Sequence, residues 1–173
     1  MTNFKSLVDQ TKTVLTSNPE QAIAKFSVEG FDSDNLYRKV KARNFEVAVD
    51  EPEALGGTDK APNPVEYALI SLATCQEITY RLYADSLGIP LTDVKVNLEG
   101  ELDLRGFFGV DSSIRPGYQK ITGSVIFDSD ASEEQLTKLK EIVDKHCPVL
   151  DLFTKGVDVT IDPVFNKREL SAA

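Results

Sequence analysis

Residues 63–90 read NPVEYALISLATCQEITYRLYADSLGIP, and this stretch decides the architecture. Asn63 suits a helix N-cap because its side-chain oxygen can accept an orphan backbone N–H. Pro64 fits the first helical position, where its missing N–H costs nothing. Glu66 falls at the third helical position, from which its carboxylate can reach back to the Asn63 N–H. Gly88-Ile89-Pro90 ends the helix, since glycine adopts the left-handed cap and proline cannot continue the ladder. Between these signals Ala68, Leu72, Cys75, Thr79 and Leu82 recur at spacings of three and four, so Cys75 belongs to a mostly apolar face. A helix this apolar needs cover on most sides. One sheet from one chain falls short of that, which points to a partner subunit.

Downstream, Val94, Val96, Leu98, Gly100, Leu102 and Leu104 alternate with charged or polar residues, the pattern of a long half-buried strand. The loop RGFFGVDSSIRPG follows, then a second strand over about Tyr118 to Phe127. Ser132 and Gln135 form a capping box for a helix whose stripe is Leu136, Leu139, Ile142 and Val143. His146-Cys147-Pro148 interrupts it, and a short helix is expected from Pro148 to Thr154. Val157, Val159 and Ile161 read as a last strand, and the end NKRELSAA as a frayed tail.

Upstream, EPEALGGTDKAPNP has no periodicity and reads as a loop. Alternation predicts strands over residues 22–30 and 36–41, and a third holding Phe45, Val47 and Val49, with a turn at residues 31–35. Residues 3–16 carry a helical stripe, broken at Asn18-Pro19. Strand runs and helix runs are segregated, so the fold class is α+β with a mainly antiparallel sheet. The expected organisation is an N-terminal helical extension over 1–21, a domain over 22–162 and a tail over 163–173.

The chain carries 28 acidic and 19 basic side chains, a formal net charge of -9, which disfavours nucleic acid because the long-range field repels phosphates. No apolar run reaches the ~18 residues of a spanning helix, so no membrane partner is expected. The polar start MTNFKSLVDQTKTVLTSNPEQ lacks the apolar core of a secretory signal. The expectation is therefore a cytoplasmic protein, in a compartment that keeps thiols reduced. One His and two Cys are too few for the usual four-ligand structural zinc site.

Cys75 and Cys147 are the only cysteines, and they lie 72 positions apart. The thiolate is the reactive form, and helix N-termini or cations favour it. Cys147 precedes a proline that starts a helix, so backbone N–H groups can aim at its sulfur. The pair suggests a two-thiol redox site, provided that folding unites them. The plainer alternatives stay open: Cys75 as an inert small hydrophobe on a helix, Cys147 as a simple cap, Glu66 as a capping residue only, and His146 as a solvated cation at a helix C-terminus.

DEPEALGGTDKAPNPVEYALISLATC together with KHCPV resembles the OsmC/Ohr family, named for osmotic induction and organic hydroperoxide resistance. LRGFFGV and IRPGYQ are similar to a branch of that family. The resemblance covers roughly residues 22–162. It implies an intertwined homodimer in which mainly antiparallel sheets from both chains wrap around two central helices. It also implies reduction of organic hydroperoxides, with Cys75 as the peroxidatic and Cys147 as the resolving residue. Glu66 is the candidate orienting carboxylate, and an external dithiol restores the thiols. Such chemistry needs no metal or organic cofactor. The apolar face around Cys75 favours lipid-like or aryl peroxides over hydrogen peroxide. The alternative is a non-catalytic dimer of the same fold that binds a small apolar ligand or serves as a stress-associated scaffold.

The chain departs from the best-characterised branch in two places. There, an Arg near the turn between the first two strands pairs with the reactive Cys. Here residues 30–34 read GFDSD, leaving Arg38, Arg43 or Arg115 as candidates. The family Glu directly follows Asn-Pro, where this chain has Val65, and the carboxylate comes one residue later at Glu66. A helix turns ~100° per residue, so Glu66 points in a different direction.

Overall fold

In the computed structural model, which describes residues 4–165, the long helix α2 spans Pro64–Leu87. Its capping box is complete: the Asn63 side chain accepts from the Glu66 N–H at 2.8 Å, and the Glu66 carboxylate accepts from the Asn63 N–H at 2.8 Å. Gly88 closes the other end in the left-handed conformation, with φ of 68°. Before it in the chain come α1 (Phe4–Ser17) and three strands, β1 (Glu29–Asp34), β2 (Tyr37–Ala42) and β3 (Phe45–Val49). After it come β4 (Asp93–Leu102), a single turn α3 (Leu104–Phe107), β5 (Tyr118–Asp128), α4 (Glu133–His146) and α5 (Pro148–Lys155). The class is α+β, with two antiparallel sheets ordered β1-β2-β3 and β4-β5.

The β4–β5 ladder runs from the pair Asp93↔Asp128 to Leu102↔Tyr118. Its inner face packs on α2 and α4. Tyr80 and Ala84 of α2, Val94 and Val96 of β4, and Leu139 and Val143 of α4 form the core. Burying each Leu or Val side chain is worth roughly 1.5–3 kcal/mol. Polar groups of α2 also hold the start of β4. Glu77 accepts from the Val96 N–H at 2.8 Å, and the Arg81 guanidinium donates to the Leu91 carbonyl. The Tyr118 hydroxyl donates to the Val65 carbonyl at 2.8 Å, tying β5 to the first turn of α2. The helix α1 lies against α2, and its Lys5 N–H donates to the Asp85 carboxylate at 3.2 Å.

The loop before α2 is built around a buried carboxylate. Asp50, 1% exposed, accepts from the backbone N–H groups of Glu51, Thr58 and Lys60 and from the Thr58 hydroxyl. These bonds hold its pKa down at about 2, the Thr58 hydroxyl contributing most. Gly56 takes a left-handed φ of 88°, and a Cβ on Gly57 would meet the Glu51 carbonyl oxygen at 1.8 Å. The two glycines are therefore a steric requirement of the fold.

The structure corrects four expectations. The first strand lies at 29–34 and not at 22–30, because the turn is made by Asn35 and Leu36, with Asn35 at a φ of 55° that asparagine tolerates. The segment expected to turn, 31–35, is mostly strand, with a register shift between Gly30 and Asp32. The expected last strand over Val157, Val159 and Ile161 is unpaired among the described residues. Both alternating segments are solvent-facing: Phe26 is 91% and Ile161 87% exposed. Their apolar pattern is that of strands, but a strand needs an edge to pair with, and these two segments find none within the described chain. Part of the expected loop after β4 is the short α3, capped by Asp103. The predicted tail NKRELSAA lies outside the described residues.

Candidate functional site: a thiol pair at a helix junction

Cys75 sits midway along α2 and is partly buried, while Cys147 is 1% exposed. Their sulfurs stand 3.5 Å apart, with the Cys147 thiol donating to Cys75. The approach follows from the α4–α5 junction. Cys147 closes α4, its N–H reaching the Val143 carbonyl, and it is also the N-cap of α5, where Pro148 enforces the change of direction. Leu139 and Val143 anchor α4 on α2, so the junction is pinned beside the middle of that helix.

The electrostatics of the two sulfurs differ. Burial pushes the Cys147 thiol up, opposed by the N–H groups of Leu150 and Val149 at the start of α5, and the neighbouring Cys75 sulfur raises it further. Cys147 therefore keeps its proton, and that S–H points at Cys75. Cys75 is the acceptor of that contact and the sulfur that reaches the groove.

Cys75 opens onto a groove of about 460 Å³, walled by Ser71, Thr74, Ile78 and Leu82 of α2 with Tyr83, His146 and Pro148. His146 places Nδ1 2.7 Å from the Ile142 carbonyl, and its ring lies 5.1 Å from that of Tyr83. A larger cavity of about 690 Å³ lies between α2, β5 and α5 and contains neither sulfur, so its size does not make it the site of thiol chemistry.

Glu66 is held in its capping box and does not line the groove. Nine residues of helix separate it from Cys75, about 13 Å along the axis. Of the candidate arginines, Arg43 lies over the Phe45 ring and Arg115 faces the larger cavity, while Arg38 is in β2 opposite Val49. None of the three lines the Cys75 groove. Among the described residues no group of three or more His, Cys, Asp or Glu is arranged to hold a metal, and no helix is long and apolar enough to cross a membrane.

Tyr83 went unmarked in the sequence, although its place two helical turns after Cys75 made it legible as a wall residue. Tyr80 was not legible. Its hydroxyl is fully buried without a hydrogen-bond partner among the described residues, and burial, with Asp144 and Cys147 nearby, pushes its pKa up.

An α+β chain with the β4–β5 sheet against a long central helix, a second antiparallel sheet of three strands, and a thiol pair joining that helix to a helix junction defines the class of protein. The profile of the family described as OsmC-like protein matches residues 57–162, and the chain belongs to that family. Solved structures share the fold. An OsmC-like protein from Mycoplasma pneumoniae superposes with a TM-score of 0.67 at 19% identity, covering 76% of this chain and 89% of that one. An organic hydroperoxide resistance protein OsmC from Legionella pneumophila gives 0.59 at 18% identity, covering 79% and 93%. An organic hydroperoxide resistance protein from Elizabethkingia anophelis gives 0.60 at 17% identity, covering 77% and 90%. No curated protein matches the sequence.

Proposed function

We propose that the protein reduces organic hydroperoxides through Cys75 and Cys147. The observation that carries this reading is the 3.5 Å separation of two free sulfurs, one of them facing a groove. Cys75 attacks the terminal peroxide oxygen, the O–O bond breaks, and an alcohol leaves. Cys75 becomes a sulfenic acid. Cys147 then attacks that sulfur, its thiol proton and the sulfenic hydroxyl leave as water, and a disulfide forms. An external dithiol, expected from the cytosol, returns both thiols. The apolar groove walls favour alkyl and aryl peroxides, and comparable turnover on hydrogen peroxide and cumene hydroperoxide would count against that preference.

The working unit is a homodimer. The exposed apolar segments around Ile23 to Val28 and Val157 to Ile161 support this, because each is patterned to pair with a strand that the described residues do not supply. The proposed domain runs over 22–162, with α1 as an extension that braces α2.

The test is a titration of reduced protein with one equivalent of t-butyl hydroperoxide, followed by intact mass and thiol counting. Loss of both thiols with a decrease of about 2 Da, the two thiol hydrogens of the oxidised pair, supports the enzyme. An unchanged mass after minutes favours the second reading, a non-catalytic binder or scaffold. The absence of Lys and Arg from the groove wall, among the described residues, is the observation on that side.

A further inference from the structure

We infer that His146 is the proton shuttle of the Cys75 site, an inference that rests on the hydroperoxide-reduction reading above. The chemistry requires a proton carrier. The thiol proton must leave sulfur before attack, and the departing alkoxide must gain a proton as the O–O bond breaks. In the groove onto which Cys75 opens, the lining side chains are hydroxyls, apolar groups, thiol, phenol and one imidazole, with no Lys or Arg among the described residues. Only the imidazole both takes up and gives back a proton near neutral pH.

Three features of His146 fit it to that task. Its Nδ1 is engaged by the Ile142 carbonyl at 2.7 Å, a contact that makes Nδ1 the donor. This tautomer leaves the lone pair on Nε2, which has no partner among the described residues. His146 is also the last residue of α4 and lines the groove onto which Cys75 opens. Finally, the ring is held beside Tyr83 at 5.1 Å and the backbone is fixed next to Cys147, whose sulfur touches Cys75.

The step balances without an added reactant. Nε2 of neutral His146 accepts the Cys75 thiol proton, relayed through the peroxide hydroxyl or one water. The sulfur electron pair attacks the hydroxyl-bearing oxygen of the hydroperoxide. The O–O pair departs on the alkoxide, and the imidazolium returns its proton there. The products are Cys75 sulfenic acid and one alcohol. Sulfur loses two electrons, the peroxide gains them, and His146 ends as it began.

The experiment follows disulfide formation by rapid quench and intact mass, in reduced wild type, His146→Gln and His146→Ala, using t-butyl hydroperoxide. His146 is solvent-exposed, so both variants keep the fold, and thermal melts confirm it. Loss of a general acid–base group slows the step by about 10²-fold, and added imidazole restores much of the rate to His146→Ala. His146→Gln reacting within about threefold of wild type overturns the inference while leaving the peroxidase reading intact. A slow His146→Ala that imidazole does not rescue also overturns it, since that marks a packing role against Tyr83. A wild type that shows no oxidation removes the peroxidase reading itself, and this inference falls with it.

Discussion

The Cys147 thiol donates to the Cys75 sulfur across 3.5 Å, although the two residues are 72 positions apart. One sits in the middle of a helix and the other at the junction of two. That junction encloses one sulfur and leaves the other at the groove. Cys147 is enclosed and hydrogen-bonded as a thiol donor, whereas Cys75 has both the groove and the incoming S–H.

The asymmetry predicts the products of single substitutions. Cys147→Ser treated with t-butyl hydroperoxide gains about 16 Da on Cys75, one oxygen per sulfenic acid, and adds more oxygen with excess peroxide. Cys75→Ser stays unmodified under the same dose. Intact mass with peptide mapping reads both, and oxidation of Cys147 in Cys75→Ser, with Cys75 left unmodified in Cys147→Ser, would reverse the assignment.

Alkylation should follow the same order. With iodoacetamide near pH 8, Cys75 reacts first and Cys147 lags, because burial both shields Cys147 and raises its pKa. The linkage has a definite sign. A thiol whose folded pKa is raised stabilises the fold below the unfolded value near 9, and that contribution fades as pH rises through the higher folded value. Melting temperature against pH from 8 to 11 measures it in the reduced protein.

Asp50 gives the opposite dependence. Its carboxyl is held at about 2, below its ordinary 3.8. Its stabilisation is present above pH 4 and is lost as pH falls toward 2. Asp50→Asn removes the charge that four donors converge on, so it should lower the melting temperature at pH 7 and flatten this acid limb. Limited proteolysis at residues 51–61 should detect the loosened loop.

Tyr80 carries a buried hydroxyl with no partner among the described residues. Removing an unsatisfied polar atom while keeping the ring should stabilise the protein. Tyr80→Phe is expected to gain about 1 kcal/mol in urea unfolding, with the edge contact to Phe127 at 5.1 Å retained. A loss of stability would mean that the hydroxyl finds a partner in solution.

Gly57 allows no side chain. A Cβ there would overlap the Glu51 carbonyl. Gly57→Ala should cost roughly 2–4 kcal/mol because the Glu51 backbone must shift to admit the methyl group, read from the same unfolding curves.

Much of this architecture was legible in residues whose signals are local. Asn63, Pro64, Glu66 and Gly88 bound α2 because caps depend only on a few neighbouring side chains. Ser132 and Gln135 fixed the start of α4 in the same way. The first hairpin was misplaced because Gly30-Phe31-Asp32-Ser33-Asp34 is turn-like in composition, yet pairing with β2 carries it as strand. Val157 to Ile161 misled in the other direction. Its alternation is real, but alternation does not name the strand that completes it.

The sequence by itself determined the ends of the helices, the alternation of β4 and β5, and the presence of two thiols on helix-associated positions. Those follow from propensity and capping, which act over a turn or two. Only the tertiary structure decided that the thiols meet, that Cys147 gives its S–H to Cys75, and that His146 rather than an arginine shares the groove wall. Contact between residues distant in the chain depends on how Leu139 and Val143 seat α4 against α2, and no short-range rule encodes that packing.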